Sequence, residues 1–301
     1  MTYPAVSLPD LAGSLALVTG ASDGIGRQIA LGLAHAGADL VLPVRDRAKG
    51  ERAAAYIRES VPGARIELRA LDLSRLESVR ELALDLSGSP PIDVLVANAG
   101  IVSLGDPMRH VSEDGFELHF QTNFLGHFAL TLALLPVLAN ARVVMQCSYA
   151  AGFARIDWDD LQSERRYSPM RAYAVSKLAL GLFAYELSRR STMNGWGVRV
   201  SVCHPGVAPD TGISPLIRER ASDGRLAALA RRLGNTPAEA AQPALLAVAT
   251  EAADCEFYGP AGLFGISGPA RRRRPYRRLT DRTAATRMWE RAEEFAVTTR
   301  R

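Results

Sequence analysis

Tyr173 and Lys177 stand four residues apart where Tyr173-Ala174-Val175-Ser176-Lys177 opens the apolar stretch Leu178 to Leu187. The spacing predicts a helix that carries both side chains on one face. A phenol with its ordinary pKa near 10 is a poor acid or base at neutral pH, and a neighbouring ammonium stabilises the phenolate and brings it toward the working range. Such a pair can move a proton, although the same spacing also arises on surface helices that move none. A second chemical feature lies far upstream. Thr19-Gly20-Ala21-Ser22-Asp23-Gly24-Ile25-Gly26 follows the apolar Leu15-Ala16-Leu17-Val18 and leads straight into Arg27 to Ala34, which reads as strand, glycine turn, helix. Glycines let the backbone turn sharply and approach a pyrophosphate, while a helix start offers free N–H groups to its charge. A nucleotide is the expected ligand, though such turns also end strands for steric reasons alone.

The elements that must position these groups are visible as apolar runs. Ala38 to Val44 and Ile92 to Ala97 are continuous rather than alternating, which fits strands of a parallel sheet covered by helices on both faces. Ligands of such sheets sit beyond the carboxyl ends of the strands. The first run ends in Arg45-Asp46-Arg47. An arginine there accommodates the 2′-phosphate of NADP, whereas an acid holds the ribose hydroxyl of NAD. Arg45 favours NADP by charge pairing, Asp46 keeps NAD open, and a solvated loop of mixed charge is the third reading. Leu71-Asp72-Leu73 closes a shorter strand, and Asn98-Ala99-Gly100 closes the run from Ile92.

Together these segments resemble the short-chain dehydrogenase/reductases. The resemblance rests on the TGxxxGIG turn at Thr19 to Gly26, Asn98-Ala99-Gly100, the serine ending Val143-Val144-Met145-Gln146-Cys147-Ser148, the Tyr173–Lys177 pair and His204-Pro205-Gly206 after Val198 to Val202. Val44 to Gly50, Trp158 to Leu161, Arg166 to Met170 and Tyr258-Gly259-Pro260 look most like the retinol-dehydrogenase-type branch. The resemblance implies an α/β fold: a Rossmann-like doubly wound parallel sheet with helices on both faces. It would form one domain over residues 1–301, with a substrate lid at about 207–237 and a C-terminal extension at about 269–301. It implies Tyr173 as acid in reduction and base in oxidation, with Lys177 lowering its pKa and meeting the nicotinamide ribose. Ser148 would orient the substrate oxygen, and Asn123 would support a water-linked proton path to the lysine. The cofactor would lie on Gly20, Ser22, Asp23, Gly24, Ile25, Gly26, Arg45, Asp72, Leu73, Asn98, Ala99, Gly100, Tyr173, Lys177, Pro205, Gly206 and Val207. Donors fixed where oxygen charge develops contribute more than donors that must first reorient.

Other residues read as structural. His127, beside Phe124 and Phe128, reads as a packed histidine; His204 is expected near the cofactor for backbone reasons. Neither has a metal-binding partner at the usual spacing, so no metal is expected. Cys147 points to the opposite face of its strand from Ser148 and reads as core. Cys147, Cys203 and Cys255 form no disulfide framework and suit a reducing compartment. The 301 residues are 48% hydrophobic, enough to bury a large core. No basic-then-apolar leader and no apolar run near the length of a bilayer span is evident, so the expectation is a cytoplasmic protein without membrane insertion. The net charge is +4, but Arg271 to Arg278 alone holds six arginines, leaving −2 elsewhere. A nucleic-acid partner is therefore excluded; the cluster reads as a solvated basic turn or as a site for phosphate or an acidic lipid surface.

Substrate recognition falls to the lid, to Ala150–Arg171 with Phe153, Trp158 and Tyr167, and to Val102-Ser103-Leu104. A mobile cover would exclude water during hydride transfer. Aromatic and apolar walls suit an apolar ketone, aldehyde or alcohol, while Arg165 and Arg166 either meet a carboxylate or face solvent. The reading is an NADP-dependent carbonyl reductase or alcohol dehydrogenase. A redox-neutral enzyme such as an epimerase, and a non-catalytic NADP sensor, are the alternatives. The helix from Tyr173 has two partly apolar faces, Leu178/Leu182/Tyr185 and Leu180/Phe183/Leu187, which suggest a homodimer unless one chain buries them itself.

Overall fold

A computed structural model describes residues 5–103, 105–208, 234–251 and 254–298. Eight strands make one sheet: β1 (Leu15–Val18), β2 (Asp39–Val44), β3 (Ile66–Ala70), β4 (Val94–Ala97), β5 (Arg142–Gln146), β6 (Arg199–Cys203), β7 (Glu256–Pro260) and β8 (Ala270–Arg273). Their spatial order is β3-β2-β1-β4-β5-β6-β7-β8. The first seven run parallel, in the doubly wound arrangement expected, and β8 runs antiparallel along β7. The basic segment is therefore not simply a turn. Arg271, Arg272 and Arg273 pair with Gly259, Tyr258 and Phe257 as an edge strand, and charge on an edge discourages pairing with other chains.

The helices are α1 (Gly24–His35), α2 (Arg47–Ser60), α3 (Leu76–Leu86), α4 (Gly126–Leu134), α5 (Pro169–Asn194), α6 (Pro237–Ala249) and α7 (Arg282–Thr298). Successive strand residues point to opposite faces, so Leu17 and Leu95 join the core beneath α3, α4, α5 and α7 while Ala16, Val18, Val94 and Val96 join the core beneath α1, α2 and α6. Covering both faces explains why the strands read as unbroken apolar runs. The strand order reverses between β1 and β4, and the carboxyl ends of these two strands frame the crevice in which a ligand of this fold sits.

The packing bears on two expectations. The helical run Leu118–Val137 has 20 residues with mean hydropathy 1.2, long and apolar enough to cross a bilayer, although no such run was expected. Most of it is buried, with Phe120, Phe124 and Phe128 turned into the core. Likewise both apolar faces of α5 are covered by the chain itself. Leu178, Leu180, Leu182, Phe183 and Leu187 are buried, and Tyr185 is half-buried against the same core. Trp289 of α7 packs edge-on to Phe128 at 5.3 Å and carries the Arg190 guanidinium 4.2 Å over its ring. The faces that suggested a dimer are thus covered within one chain, in part by Trp289 of the C-terminal extension.

Most of the expected lid, including Asp210-Thr211-Gly212 and the stretch from Leu226 to Leu233, lies outside the described residues, as does Leu104.

Candidate active site

The turn after β1 is locked to the turn after β4. Thr19 Oγ1 accepts hydrogen bonds from the Asn98 and Ala99 N–H groups, each at 3.0 Å. Asn98 Nδ2 in return donates to the Thr19 carbonyl at 2.9 Å. Gly26 must be glycine at this junction, because a Cβ there would lie 2.2 Å from the Gly20 carbonyl oxygen. Gly20 itself has φ +69°, which a β-carbon resists. Asp23 caps α1 by accepting from the Gly24 N–H at 2.7 Å, so the first turn of α1 opens onto a cleft of about 330 Å³.

Every expected cofactor residue except Gly206 and Val207 lines that cleft: Gly20, Ser22, Asp23, Gly24, Ile25, Gly26, Arg45, Asp72, Leu73, Asn98, Ala99, Gly100, Tyr173, Lys177 and Pro205. Lys49, Thr122 and Gln146 join them, and none of the three was singled out from the sequence. Lys49 lies four residues beyond Arg45 in the first turn of α2, a spacing that could have signalled it. Asp46 is occupied as the N-cap of that helix, accepting from the Lys49 N–H at 3.0 Å. That bond and the nearby lysine charge hold its carboxyl below the usual range. Among the described residues Arg45 makes no ion pair. Thr122 Oγ1 is buried without a hydrogen-bond partner. A helix start, a cation at the second strand's end and a spare buried hydroxyl fit a phosphorylated dinucleotide.

Deeper in, Lys177 is a buried lysine whose ammonium donates to the Gln146 carbonyl at 2.9 Å. Desolvation brings its pKa down to about 8. Asn123 sits in a π-helical turn (Gln121–Leu125) ahead of α4, an irregularity common at functional sites. Its amide clasps the Ile101 backbone, accepting from the N–H at 2.7 Å and donating to the carbonyl at 3.0 Å, and it also donates to Ser176 Oγ at 2.9 Å. A Cβ on Gly100 would come within 3.1 Å of both Asn123 Oδ1 and Lys177 Nζ, so the glycine lets these two groups converge. Ser148 caps a short turn, its hydroxyl accepting from the Ala150 N–H at 3.2 Å, and it stands near enough to the Tyr173 phenol to favour its ionised form. Ser148, Tyr173, Lys177 and Asn123 are thus gathered at the carboxyl ends of β4 and β5.

Burial works against the low phenol pKa expected of Tyr173. Burial pushes the Tyr173 phenol up to about 12, and the Ser148 hydroxyl pulls only partly against it. The Lys177 ammonium keeps its charge while it donates to the Gln146 carbonyl.

Of the buried histidines His119, His127 and His204, the last two differ in kind. His204 itself lines neither cleft, although the adjoining Pro205 lines both; its ring stacks on Phe257 at 5.4 Å beside Tyr149 and Tyr276. His127 bonds both Thr19 and Asn123. Burial depresses the two rings to about 4 and about 3, from an ordinary 6.5. The unfolded chain therefore takes up protons below pH 6.5 that the native chain refuses until those lower values. Stability present above pH 6.5 is lost as pH falls through that window. At pH 5 the loss is expected to be on the order of 1–2 kcal/mol per ring, read as a falling urea midpoint with constant m. A flat midpoint from pH 7 to 5 would show that these rings titrate normally.

A second cleft adjoins the first, and Ile25, Tyr173 and Pro205 line both. Its walls include Val102, Ser148, Phe153, Ile156, Trp158 and Met170, together with Gly206 and Val207. Gly206 has φ +76°, and Val207 donates to the Ile266 carbonyl at 2.8 Å. Tyr167, Arg165 and Arg166 are not part of this wall. The carboxylate of Asp160 gathers the backbone N–H groups of Glu164, Arg165 and Arg166 and turns that loop aside. The charges at this cleft are instead Arg155, Arg171 and Arg287 with Asp157 and Asp159; Arg287 lies 4.5 Å over the Trp158 ring.

Comparison with known proteins agrees with this geometry. A family model described as short chain dehydrogenase matches residues 14–221. Human retinol dehydrogenase 13 is 38% identical over 288 residues, which cover 92% of this chain and 82% of that protein. Mouse polyprenol dehydrogenase is 41% identical over 208 residues, 66% of this chain but 61% of that protein. Human retinol dehydrogenase 12 is likewise matched over only 62% of its length. Among solved structures, an uncharacterized protein of Mycobacterium paratuberculosis superposes with TM-score 0.79 at 36% identity, covering 98% of each chain. The Pseudomonas aeruginosa RhlG/NADP complex superposes with TM-score 0.63 at 30% identity, covering 80% of this chain and 91% of that one.

Proposed function

The chain belongs to the short-chain dehydrogenase family, in its retinol-dehydrogenase branch, and is an NAD(P)-dependent oxidoreductase; from that premise we propose that it interconverts an apolar ketone or aldehyde and its alcohol with NADP(H). The observation that carries this reading is the place of Tyr173, on the seam between the dinucleotide cleft and the apolar cleft, with Ser148 lining the apolar cleft beside it. The nicotinamide, when bound, supplies or accepts the hydride. The chain's own residues handle the oxygen and the proton. Ser148 holds the substrate oxygen, and Tyr173 gives it a proton in reduction or takes one in oxidation. Lys177 and Asn123 hold the proton path behind the phenol. Arg45 and Lys49 would receive the 2′-phosphate, a preference supported by the commitment of Asp46 to capping α2.

Apolar lining from Val102, Ile156, Trp158 and Met170 favours a long hydrocarbon carbonyl, in keeping with relatives named for retinol and polyprenol. The test is loss of NADPH absorbance with a panel of apolar aldehydes and ketones, run beside NADH. Turnover that prefers NADPH is expected. Tight NADPH binding with no turnover on any panel member would overturn the reading and favour a redox-neutral enzyme or a sensor.

A further inference from the structure

His127 touches neither cleft, yet its ring spans the two parts of the site. Nε2 lies 3.0 Å from Thr19 Oγ1 in the glycine turn, and Nδ1 lies 3.2 Å from the Asn123 carbonyl in the π-helical turn. The surroundings fix the proton. A carbonyl oxygen only accepts, so Nδ1 must carry hydrogen. Thr19 Oγ1 already accepts the Ala99 N–H and shares the Asn98 N–H with the Val96 carbonyl, and it has one hydrogen to donate. The alternative acceptor, the Val96 carbonyl, is farther off at 3.3 Å against 3.0 Å for Nε2, and it already takes the Thr19 N–H and a share of the Asn98 N–H. The hydroxyl hydrogen therefore goes to a bare Nε2. Complete burial and the Lys177 charge both disfavour a doubly protonated ring.

We propose that His127, held as the neutral Nδ1–H tautomer, is a positioning residue that sets the π-turn bearing Asn123 against the glycine turn that receives the dinucleotide. Its two nitrogens serve two different parts of the site. Asparagine can reproduce the Nδ1 donor and glutamine the Nε2 acceptor, so the two roles are separable by substitution.

His127→Asn is expected to keep kcat and weaken NADPH binding about ten-fold, because the hold on Thr19 is lost. His127→Gln is expected to keep NADPH binding and lower kcat about ten-fold, because the hold on the Asn123 carbonyl is lost. Both variants losing kcat and affinity alike, or both losing only thermal stability, would overturn the proposal. Nitrogen NMR of the wild-type chain, with the His127 ring assigned through its own backbone, tests the tautomer without a variant. A protonated Nδ1 with bare Nε2, unchanged from about pH 5 to pH 9, is expected; a protonated Nε2 overturns it. Only the kcat arm rests on the oxidoreductase reading. The NMR and NADPH-binding arms need no turnover, so failure of the one is distinguishable from failure of the other.

Discussion

Tyr173→Phe is expected to lower kcat by roughly 10²–10⁴-fold, the usual contribution of a positioned acid or base, and to leave NADPH binding close to its original strength. The substitution removes one oxygen from the seam of the two clefts and keeps the ring that packs there. Stopped-flow turnover and fluorescence titration of the cofactor read the two quantities separately. Retention of more than about a tenth of kcat would mean that another donor protonates the oxygen. The high pKa of this phenol adds a direction to the expectation. Held up to about 12 by burial, Tyr173 carries its proton throughout the neutral range, so reduction should vary little with pH there. Oxidation needs the phenolate and should speed up as pH rises. A reduction rate that fell steeply between pH 6 and 8 would assign the acid to a different group.

What the chain disclosed before folding follows from how local each feature is. The glycine turn and the Tyr173–Lys177 spacing are set within one turn of backbone, and both were legible. The parallel sheet was legible as well, since burial on both faces leaves unbroken apolar runs. What was not legible concerns partners distant in sequence. His127 reads as packing, which its burial bears out, but its second contact shows only once Thr19, 108 residues earlier, is placed against it. The hydrogen bond from Lys177 to the Gln146 carbonyl, 31 residues away, has no local signal. Whether the apolar faces of α5 meet this chain or another is read only once Trp289 and its neighbours are placed. The arginine cluster reads as a turn because a basic edge strand has no apolar alternation to announce it, and only β7 supplies its register.

Arg45→Ala is expected to cost roughly 10- to 100-fold in kcat/KM for NADPH and almost nothing for NADH, the range of one lost charge-assisted hydrogen-bond set to a phosphate. The residue ends β2 and lines the dinucleotide cleft without an ion pair among the described residues. Removing it therefore breaks no internal contact that would confuse affinity with stability. Lys49 lines the same end of the cleft, and the two cations act on one phosphate, so Lys49→Ala in the same background should lose less than the sum of the single effects. Asp46 supplies the control. If it held the ribose of NAD, Asp46→Ser would weaken NADH use; if it only caps α2, serine replaces it as a capping residue and both cofactors are unaffected. Equal losses for NADPH and NADH in Arg45→Ala would place this cation away from the 2′ position and would return the choice of cofactor to Asp46.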